Sequence, residues 1–110
     1  MSYKIITIPS FNKELKALIK KHRSIKTDIA LLGKELSENP KLGIEILENC
    51  FKIRMAISSK GKGKSVGARV ITYVYVKDET VYLLSIYDKS DNESISDNEI
   101  RDLIKSIDFE

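Results

Sequence analysis

Six cationic residues lie between positions 52 and 69, and no acidic residue lies among them. Lysine and arginine carry a positive charge at neutral pH, so such a cluster predicts a phosphate-bearing partner such as a nucleic acid. A solvated polar sheet face with a flexible loop is the alternative interpretation. The six residues are Lys52, Arg54, Lys60, Lys62, Lys64 and Arg69, and Lys89 follows them nearer the C-terminus.

The overall charge of the chain hides this concentration. The chain has 110 residues and a formal net charge of +3. Residues 1–65 carry 14 Lys/Arg and 6 Asp/Glu, whereas residues 66–110 carry 5 Lys/Arg and 10 Asp/Glu. The two parts have net charges of +8 and −5, a split that favours a polyanionic partner for one face and a basic partner or solvent for the other.

Conventional catalytic groups are sparse. The only histidine, His22, lies near the end of a predicted helix, where a capping or packing role is favoured over general-base chemistry. The only cysteine, Cys50, excludes an internal disulfide and a multi-cysteine zinc site, and it precedes an apolar strand as a small core residue would. The acidic run of Asp88, Asp91 and Glu93 lacks the glycine and the terminal glutamate spacing of a calcium loop, which favours a solvated connection. No metal site is predicted.

A phosphate-binding P-loop is excluded by its context. Gly63-Lys64-Ser65 matches the end of that motif, but Ser58 occupies the position of the glycine required five residues earlier. The motif also needs a helix to follow it, and residues 70–74 form a β-branched run that predicts a strand. Nucleotide hydrolysis is therefore not predicted.

Length and composition fit a single globular domain over residues 1–110. Hydrophobic residues make up 42% of the chain and charged residues 32%, which is typical of a soluble protein with one core. No stretch approaches about 18 uncharged apolar residues, and residues 1–9 lack the apolar region and cleavage site of a signal peptide. We therefore expect a cytoplasmic protein without a membrane segment.

The secondary structure follows from hydrophobic periodicity and the residues that interrupt it. The first half of the chain is predicted to form a strand over Tyr3–Ile8, a helix over residues 11–22 with Ser10 as N-cap, and a helix from Ile25 to Asn39-Pro40, followed by a connection over 40–49. The second half is predicted to form strands over 51–57, 68–77 and 81–87, separated by a glycine-rich loop at 58–67 and a turn at 78–79. A last helix follows a Ser96–Glu99 capping box. This β-α-α-β-β-β-α order predicts an α+β fold, with a largely antiparallel four-stranded sheet and helices packed on one face.

The predicted strands bring the cations together. Apolar and polar side chains alternate over residues 51–57, so Lys52 and Arg54 lie on the same outer face, about 7 Å apart. Arg69 shares a strand face with two tyrosines, which could stack on bases or pack in the core. Lys89 follows the last strand, where side chains leave the sheet and can reach a ligand.

Three stretches of the chain, taken in order, resemble the RelE/ParE superfamily of bacterial toxins and are closest to its RelE/HigB-like branch. They are residues 50–55, residues 60–71 with Lys-Gly-Lys-Gly-Lys-Ser and Gly-Ala-Arg, and Tyr87-Asp88-Lys89-Ser90 followed by a capped helix. The order of elements agrees, and the resemblance covers nearly the whole chain. It implies the toxin of a type II toxin–antitoxin pair: a ribosome-dependent mRNA endoribonuclease, or mRNA interferase, that inhibits translation and leaves a 2′,3′-cyclic phosphate.

The resemblance implies roles for particular residues. The basic pair of the family falls on Lys52 and Arg54, its strand arginine on Arg69, and its basic residue after the last strand on Lys89. The RNA supplies its own 2′-OH nucleophile, so no metal and no other cofactor is implied. A lysine crowded by cations gives up its proton more readily, and arginine binds phosphate with two donors. We therefore predict Lys52 as base, Arg54 and Arg69 as phosphate clamps and Lys89 as acid, with RNA-binding roles for Lys60, Lys62, Lys64 and Tyr87.

Two positions depart from the pattern of the family. Val66 replaces the first of two glycines that often precede the Ala-Arg segment, and Ile95 stands near the place of a tyrosine found after the last basic residue. Two alternatives share the fold: a ParE-like inhibitor of DNA gyrase, and a non-catalytic RNA-binding or regulatory module. The implied partners are a cognate antitoxin, the ribosome and mRNA, with neither a membrane nor a small-molecule cofactor. The antitoxin would be acidic where it meets the cations, or would insert a helix over the apolar sheet edge.

Overall fold

A computed structural model describes residues 2–91 and 94–109. Within them the elements are β1 (Lys4–Thr7), α1 (Pro9–Lys21), α2 (Ile25–Glu38), β2 (Ile44–Leu47), β3 (Cys50–Met55), β4 (Ala68–Tyr75), β5 (Thr80–Asp88) and α3 (Asp97–Lys105). The described strands form one sheet in the order β1-β5-β4-β3-β2, in which β1 runs parallel to β5 and the other neighbours are antiparallel. The predicted α+β fold and largely antiparallel sheet are confirmed, but the sheet has five strands rather than four.

The additional strand, β2, lies within residues 40–49, which the sequence predicts to be a connection. It has only four residues and pairs with β3, with Ile44 opposite Lys52. Asn49 adopts a left-handed conformation (φ 62°) in the turn to β3, and its amide donates to the Glu45 carboxylate at 3.0 Å. So short an edge strand is defined by its partner rather than by its own periodicity, and the prediction of a connection was wrong for this reason.

Two element boundaries also differ from the predicted ones. α1 begins at Pro9 rather than after a Ser10 cap, because proline is favoured at the first helical position, where its missing N–H is not needed. β4 ends at Tyr75 rather than Lys77, because residues 76–78 form one turn of 3₁₀-helix before the chain reverses into β5. These differences leave the predicted cationic strands in place.

The two faces of β3 have opposite characters. One face is apolar and belongs to a core that the helices help to cover; its members include Phe51, Ile53 and Met55 of β3 and Ile25, Leu32 and Leu36 of α2. The other face carries Lys52 beside Ile71 and Arg54 beside Arg69, as the register of β3 with β4 requires. Apolar burial therefore fixes the face to which the cations are directed.

The C-terminal residues pack against β4 and β5. The predicted capping box at α3 is confirmed, since Ser96 Oγ accepts from the Glu99 amide at 3.2 Å and the Glu99 carboxylate accepts in return from Ser96. Beyond α3, the ring of Phe109 packs against the rings of Tyr73, Tyr75 and Tyr82, with centroids 4.7–6.2 Å away. These contacts favour packing over base stacking for the strand tyrosines. No helix in the described part of the chain is long and apolar enough to span a membrane.

Candidate functional site

Arg54, Arg69 and Tyr87 lie side by side across three strands. Arg54 of β3 is the register partner of Arg69 of β4, which is in turn the register partner of Tyr87 of β5. Lys52 lies on the same face, two residues before Arg54. Arg54 is exposed and Lys52 half-buried, whereas Arg69 is only 4% exposed. The sheet therefore gathers three of the four predicted catalytic cations on one face, as the sequence predicted.

The guanidinium of Arg69 holds the loop that precedes it. Nη1 donates to the carbonyl oxygens of Lys64 at 3.0 Å and Ala68 at 3.1 Å, and Nη2 donates to the carbonyl of Ser65 at 3.0 Å. A guanidinium has five N–H donors in a planar fork, so these bonds engage one side of the group. Arg69 therefore anchors residues 64–68 while remaining part of the cationic face.

A groove of about 820 Å³ collects the predicted catalytic side chains. Its cationic wall comprises Lys52, Arg54, Lys64, Arg69 and Lys89. All four predicted catalytic residues thus line one cavity, together with one of the predicted RNA-binding lysines. The other predicted RNA-binding residues, Lys60, Lys62 and Tyr87, are not among its lining residues, although Lys62 is exposed on the same loop.

The lining of this groove also includes apolar side chains from α2 and from the segment that contains the edge strand β2. Leu31 is 63% exposed and Ile44 is 62% exposed, and Leu42 and Ile46 lie beside them. Glu35 and Asp28 supply the acidic lining. An occupant of the whole groove would therefore meet both cations and apolar surface.

Lys60 differs from the other loop lysines because its ammonium is engaged by the protein. It donates to the Asp88 carboxylate at 2.8 Å, to the Val66 carbonyl at 3.1 Å and to Ser90 Oγ at 3.1 Å, and its side chain is 17% exposed. An RNA contact by Lys60 stays a prediction, and these bonds favour a loop-fixing role instead.

Asp88 is the functional-site residue that sequence reasoning missed. The sequence predicted a solvated connection there, but Asp88 is 2% exposed and its carboxylate accepts from Lys60, from the Ser90 amide at 2.9 Å and from His22 Nε2 at 2.8 Å. Burial alone would raise the pKa of Asp88, but these hydrogen bonds and the Lys60 charge hold its pKa well below the ordinary 3.8. Asp91 is exposed as predicted, and Glu93 lies outside the described residues.

His22 and Cys50 have structural roles, as the sequence predicted for them. His22 is the C-cap residue of α1, and its Nε2 hydrogen-bonds the Asp88 carboxylate at 2.8 Å. Cys50 is fully buried, and burial raises the pKa of its thiol to about 11, which keeps it protonated and unreactive. Among residues 2–91 and 94–109, no group of three or more His, Cys, Asp and Glu side chains is arranged to hold a metal ion.

Tyr87 presents an unsatisfied hydroxyl beside Arg69. Tyr87 is 7% exposed, and its buried oxygen has no hydrogen-bond partner among the described residues. Burial raises the pKa of the phenol, and the charge of Arg69 opposes this only in part, so Tyr87 stays protonated at neutral pH. The phenol can therefore donate a hydrogen bond to an anion, once one can reach it.

The two departures from the family pattern have different structural consequences. A Cβ at Gly67 would lie 2.2 Å from the Met55 carbonyl oxygen, so the second glycine of the pattern is required here. Val66 is 37% exposed, so a side chain is accommodated at the first position. Ile95 lines a separate cavity with Ser85 rather than the cationic groove, and supplies no hydroxyl.

Solved structures of bacterial toxins share this fold. A free-state structure of a double arginine-to-alanine mutant of the Escherichia coli toxin RelE is 19% identical, with a TM-score of 0.65 over 97% of this chain and 99% of that one. The RelBE2 toxin–antitoxin complex of Mycobacterium tuberculosis is 17% identical, with a TM-score of 0.57 over 80% and 99% of the two chains. The intact E. coli RelBE complex is 19% identical, with a TM-score of 0.55 over 79% and 96%.

These similarities establish the architecture. No family model matches the chain. The structural matches nevertheless span nearly the full length of the compared toxin chains. The protein therefore has the RelE-like fold, which confirms at the level of structure the resemblance read from its sequence.

Proposed function

We propose that this protein is the toxin of a type II toxin–antitoxin pair and cleaves mRNA on the ribosome without a metal ion. The observation that carries the proposal is the convergence of Lys52, Arg54, Arg69 and Lys89 on one groove of a RelE-like fold. The ribosome and its mRNA lie in the cytoplasm, which is the compartment that this activity requires.

The proposed reaction uses the RNA as its own nucleophile. The ribose 2′-oxygen attacks the adjacent phosphorus while Lys52, in its neutral form, accepts the 2′-OH proton. The bond from phosphorus to the 5′-oxygen breaks, and Lys89 donates a proton to that oxygen. The products are a 2′,3′-cyclic phosphate and a 5′-hydroxyl, and no electrons are gained or lost overall. Two protons move, one to Lys52 and one from Lys89.

The two arginines would stabilise the negative charge that accumulates on the non-bridging phosphate oxygens. Arg54 is exposed at the groove, and it lies directly across from Arg69, whose remaining donors are not directed to the loop carbonyls. Fixed donors of this kind act most strongly where charge develops in the transition state. Lys62 and Lys64 would add affinity for the RNA backbone without reading its sequence.

An open groove with few base-reading groups is consistent with ribosome dependence. Cations alone bind RNA but do not align a 2′-OH with the phosphorus, and alignment is worth several orders of magnitude in rate. A codon already ordered by the ribosome would supply that alignment. Free RNA should therefore be cleaved far more slowly than mRNA on a ribosome.

The decisive experiment compares cleavage of ribosome-bound mRNA by the purified parent protein and by charge-removing variants. We expect new ends with 2′,3′-cyclic phosphate, and a loss of roughly 100-fold or more in kcat for Arg54→Gln and for Lys89→Ala. Lys77→Ala is the matched control, because Lys77 is an exposed cation in the turn beyond the far end of β4. Parental cleavage rates in Arg54→Gln and Lys89→Ala would contradict the proposed site.

The same preparation distinguishes the alternatives. A parent protein that blocks DNA supercoiling by gyrase and leaves mRNA intact would replace the proposal by a ParE-like activity. A parent that binds RNA with salt-dependent affinity but produces no ends would replace it by a non-catalytic module.

We also propose a cognate antitoxin as the protein partner. Two of the structural neighbours are toxin–antitoxin complexes. A partner segment with carboxylates and apolar side chains would suit this groove, because the exposed Leu31 and Ile44 line it together with the cations. Co-expression with the product of an adjacent small reading frame should restore translation and yield a stable complex, and failure of every adjacent product to do so would contradict this partnership.

A further inference from the structure

Asp88 connects three parts of the chain by hydrogen bonds. Its carboxylate accepts from His22 at the end of α1, from Lys60 in the loop after β3 and from the amide of Ser90 just beyond β5. Lys60 and His22 are 28 and 66 residues away along the chain. The carboxylate is almost completely enclosed, with 1% of the side chain exposed. A buried carboxylate with three donors fixes the relative positions of those donors.

Further hydrogen bonds connect this cluster to the loop that lines the groove. Lys60 also donates to the Val66 carbonyl at 3.1 Å, and the Lys89 amide donates to the Gly67 carbonyl at 3.0 Å. The segment from Lys64 to Gly67 is therefore held on one side by Arg69, through the Lys64 and Ser65 carbonyls, and on the other by the Asp88–Lys60 pair. Both Lys64 and Lys89 line the groove.

We infer that Asp88 is a positioning residue for this groove: acting through Lys60, it fixes the loop that carries Lys64 and it fixes the main chain at Lys89. The inference rests on the proposed function insofar as the positions of Lys64 and Lys89 matter for RNA cleavage. Asp88 itself is not among the residues that line the groove. Its effect on the reaction is geometric, because displacement of a catalytic group by about 1 Å can cost roughly 100-fold in rate.

The test is a double-mutant cycle on Asp88 and Lys60. Asp88→Asn and Lys60→Met each remove one partner, and the double variant removes both without leaving an unpaired buried charge. Asp91→Asn is the control, because it also removes one negative charge nearby, from an exposed pair in which Lys21 lies 2.6 Å away. The steady-state kcat and KM for ribosome-bound mRNA are measured for all of them, well below their melting temperatures.

We expect Asp88→Asn and Lys60→Met each to lower kcat roughly 10- to 100-fold with KM changed by less than about 3-fold. The double variant should lose no more than the worse single variant, since both act through one contact. Asp91→Asn should keep the parental kcat. Parental kcat in a folded Asp88→Asn, or losses that multiply in the double variant, would overturn the inference.

Amide hydrogen exchange supplies a readout that does not depend on catalysis. The Gly67 amide donates to Lys64 and the Lys89 amide to Gly67, so both should exchange faster in Asp88→Asn, while core amides such as that of Val74 keep their protection. Equal loss of protection across the core would overturn a positioning role. A parent that cleaves no mRNA would refute the proposed function, and the exchange pattern would then decide on Asp88 alone.

Discussion

Replacement of Arg69 by lysine should affect its two roles, loop anchor and proposed phosphate clamp, to different extents. The substitution keeps the positive charge and most of the apolar stem, but it replaces a planar fork by a single ammonium. That ammonium can reach at most one or two of the three carbonyls that the guanidinium now bonds at 3.0–3.1 Å. Arg69→Lys is therefore a smaller perturbation of the fold than of the phosphate site.

The expected loss of stability is modest. A hydrogen bond to a charged group contributes about 1.5–3 kcal/mol, and the lower end applies to the Lys64 and Ser65 carbonyls, because both residues are exposed and water replaces the lost donor. Arg69→Lys should therefore lower the free energy of unfolding by about 2 kcal/mol. A domain with about 5 kcal/mol or more of stability stays more than about 99% folded after such a loss.

The expected loss of activity is larger, because one preorganised donor to a developing oxyanion is worth about 10²–10³ in kcat. Urea unfolding and cleavage of ribosome-bound mRNA, measured on the same preparation, provide the comparison. Arg101→Lys, an exposed arginine of α3, is the matched control and should change neither quantity. Parental kcat in Arg69→Lys would refute the clamp role, and parental stability would refute the loop-anchor role.

Three further predictions concern stability, each checked by urea unfolding. Gly67→Ala should cost about 2 kcal/mol or more, because its Cβ would lie 2.2 Å from the Met55 carbonyl, whereas Gly33→Ala, in a helix with open space around it, should stabilise by about 0.5–1 kcal/mol. Because the pKa of Asp88 is lowered, ionised Asp88 stabilises the folded state above about pH 4, and this stabilisation is lost as pH falls through the folded-state pKa. Asp88→Asn should therefore flatten the pH dependence of the free energy of unfolding below pH 4. Burial raises the pKa of Glu14, although hydrogen bonds oppose it, so its ionisation weakens the fold as pH rises; Glu14→Gln should therefore stabilise the fold more at pH 7 than at pH 3.

The main strands could be predicted from the sequence because one alternation of apolar and polar side chains sets both their buried face and the face that carries the cations. The face of β3 that carries Lys52 and Arg54 follows from the burial of Phe51 and Ile53, whatever the rest of the chain does. The capping box of α3 is likewise a local signal. β2 is different: it is a four-residue edge strand, and only the free edge of β3 makes it a strand.

The role of Asp88 was beyond sequence reasoning for a different reason. The residues that follow it on the chain are polar, and its two side-chain donors come from positions 28 and 66 residues away. Nothing in the local pattern separates it from the exposed Asp91 three residues later. A buried charge that is stabilised by distant partners becomes visible only when the tertiary structure brings those partners together.

The cations between positions 52 and 69, which first suggested a polyanion partner, also differ from one another in their tertiary contacts. A count of charges treats Lys60, Lys62 and Lys64 alike, but the ammonium of Lys60 bonds Asp88 and a loop carbonyl, whereas Lys64 lines the groove. Arg69 does both: its guanidinium bonds the loop carbonyls, and Arg69 also lines the groove. The protein thus uses some of its cations to hold others in place. Because a fixed charge stabilises a transition state better than a mobile one, Lys60 contributes to the proposed chemistry through geometry, whereas Arg69 would both hold the loop and contact the phosphate.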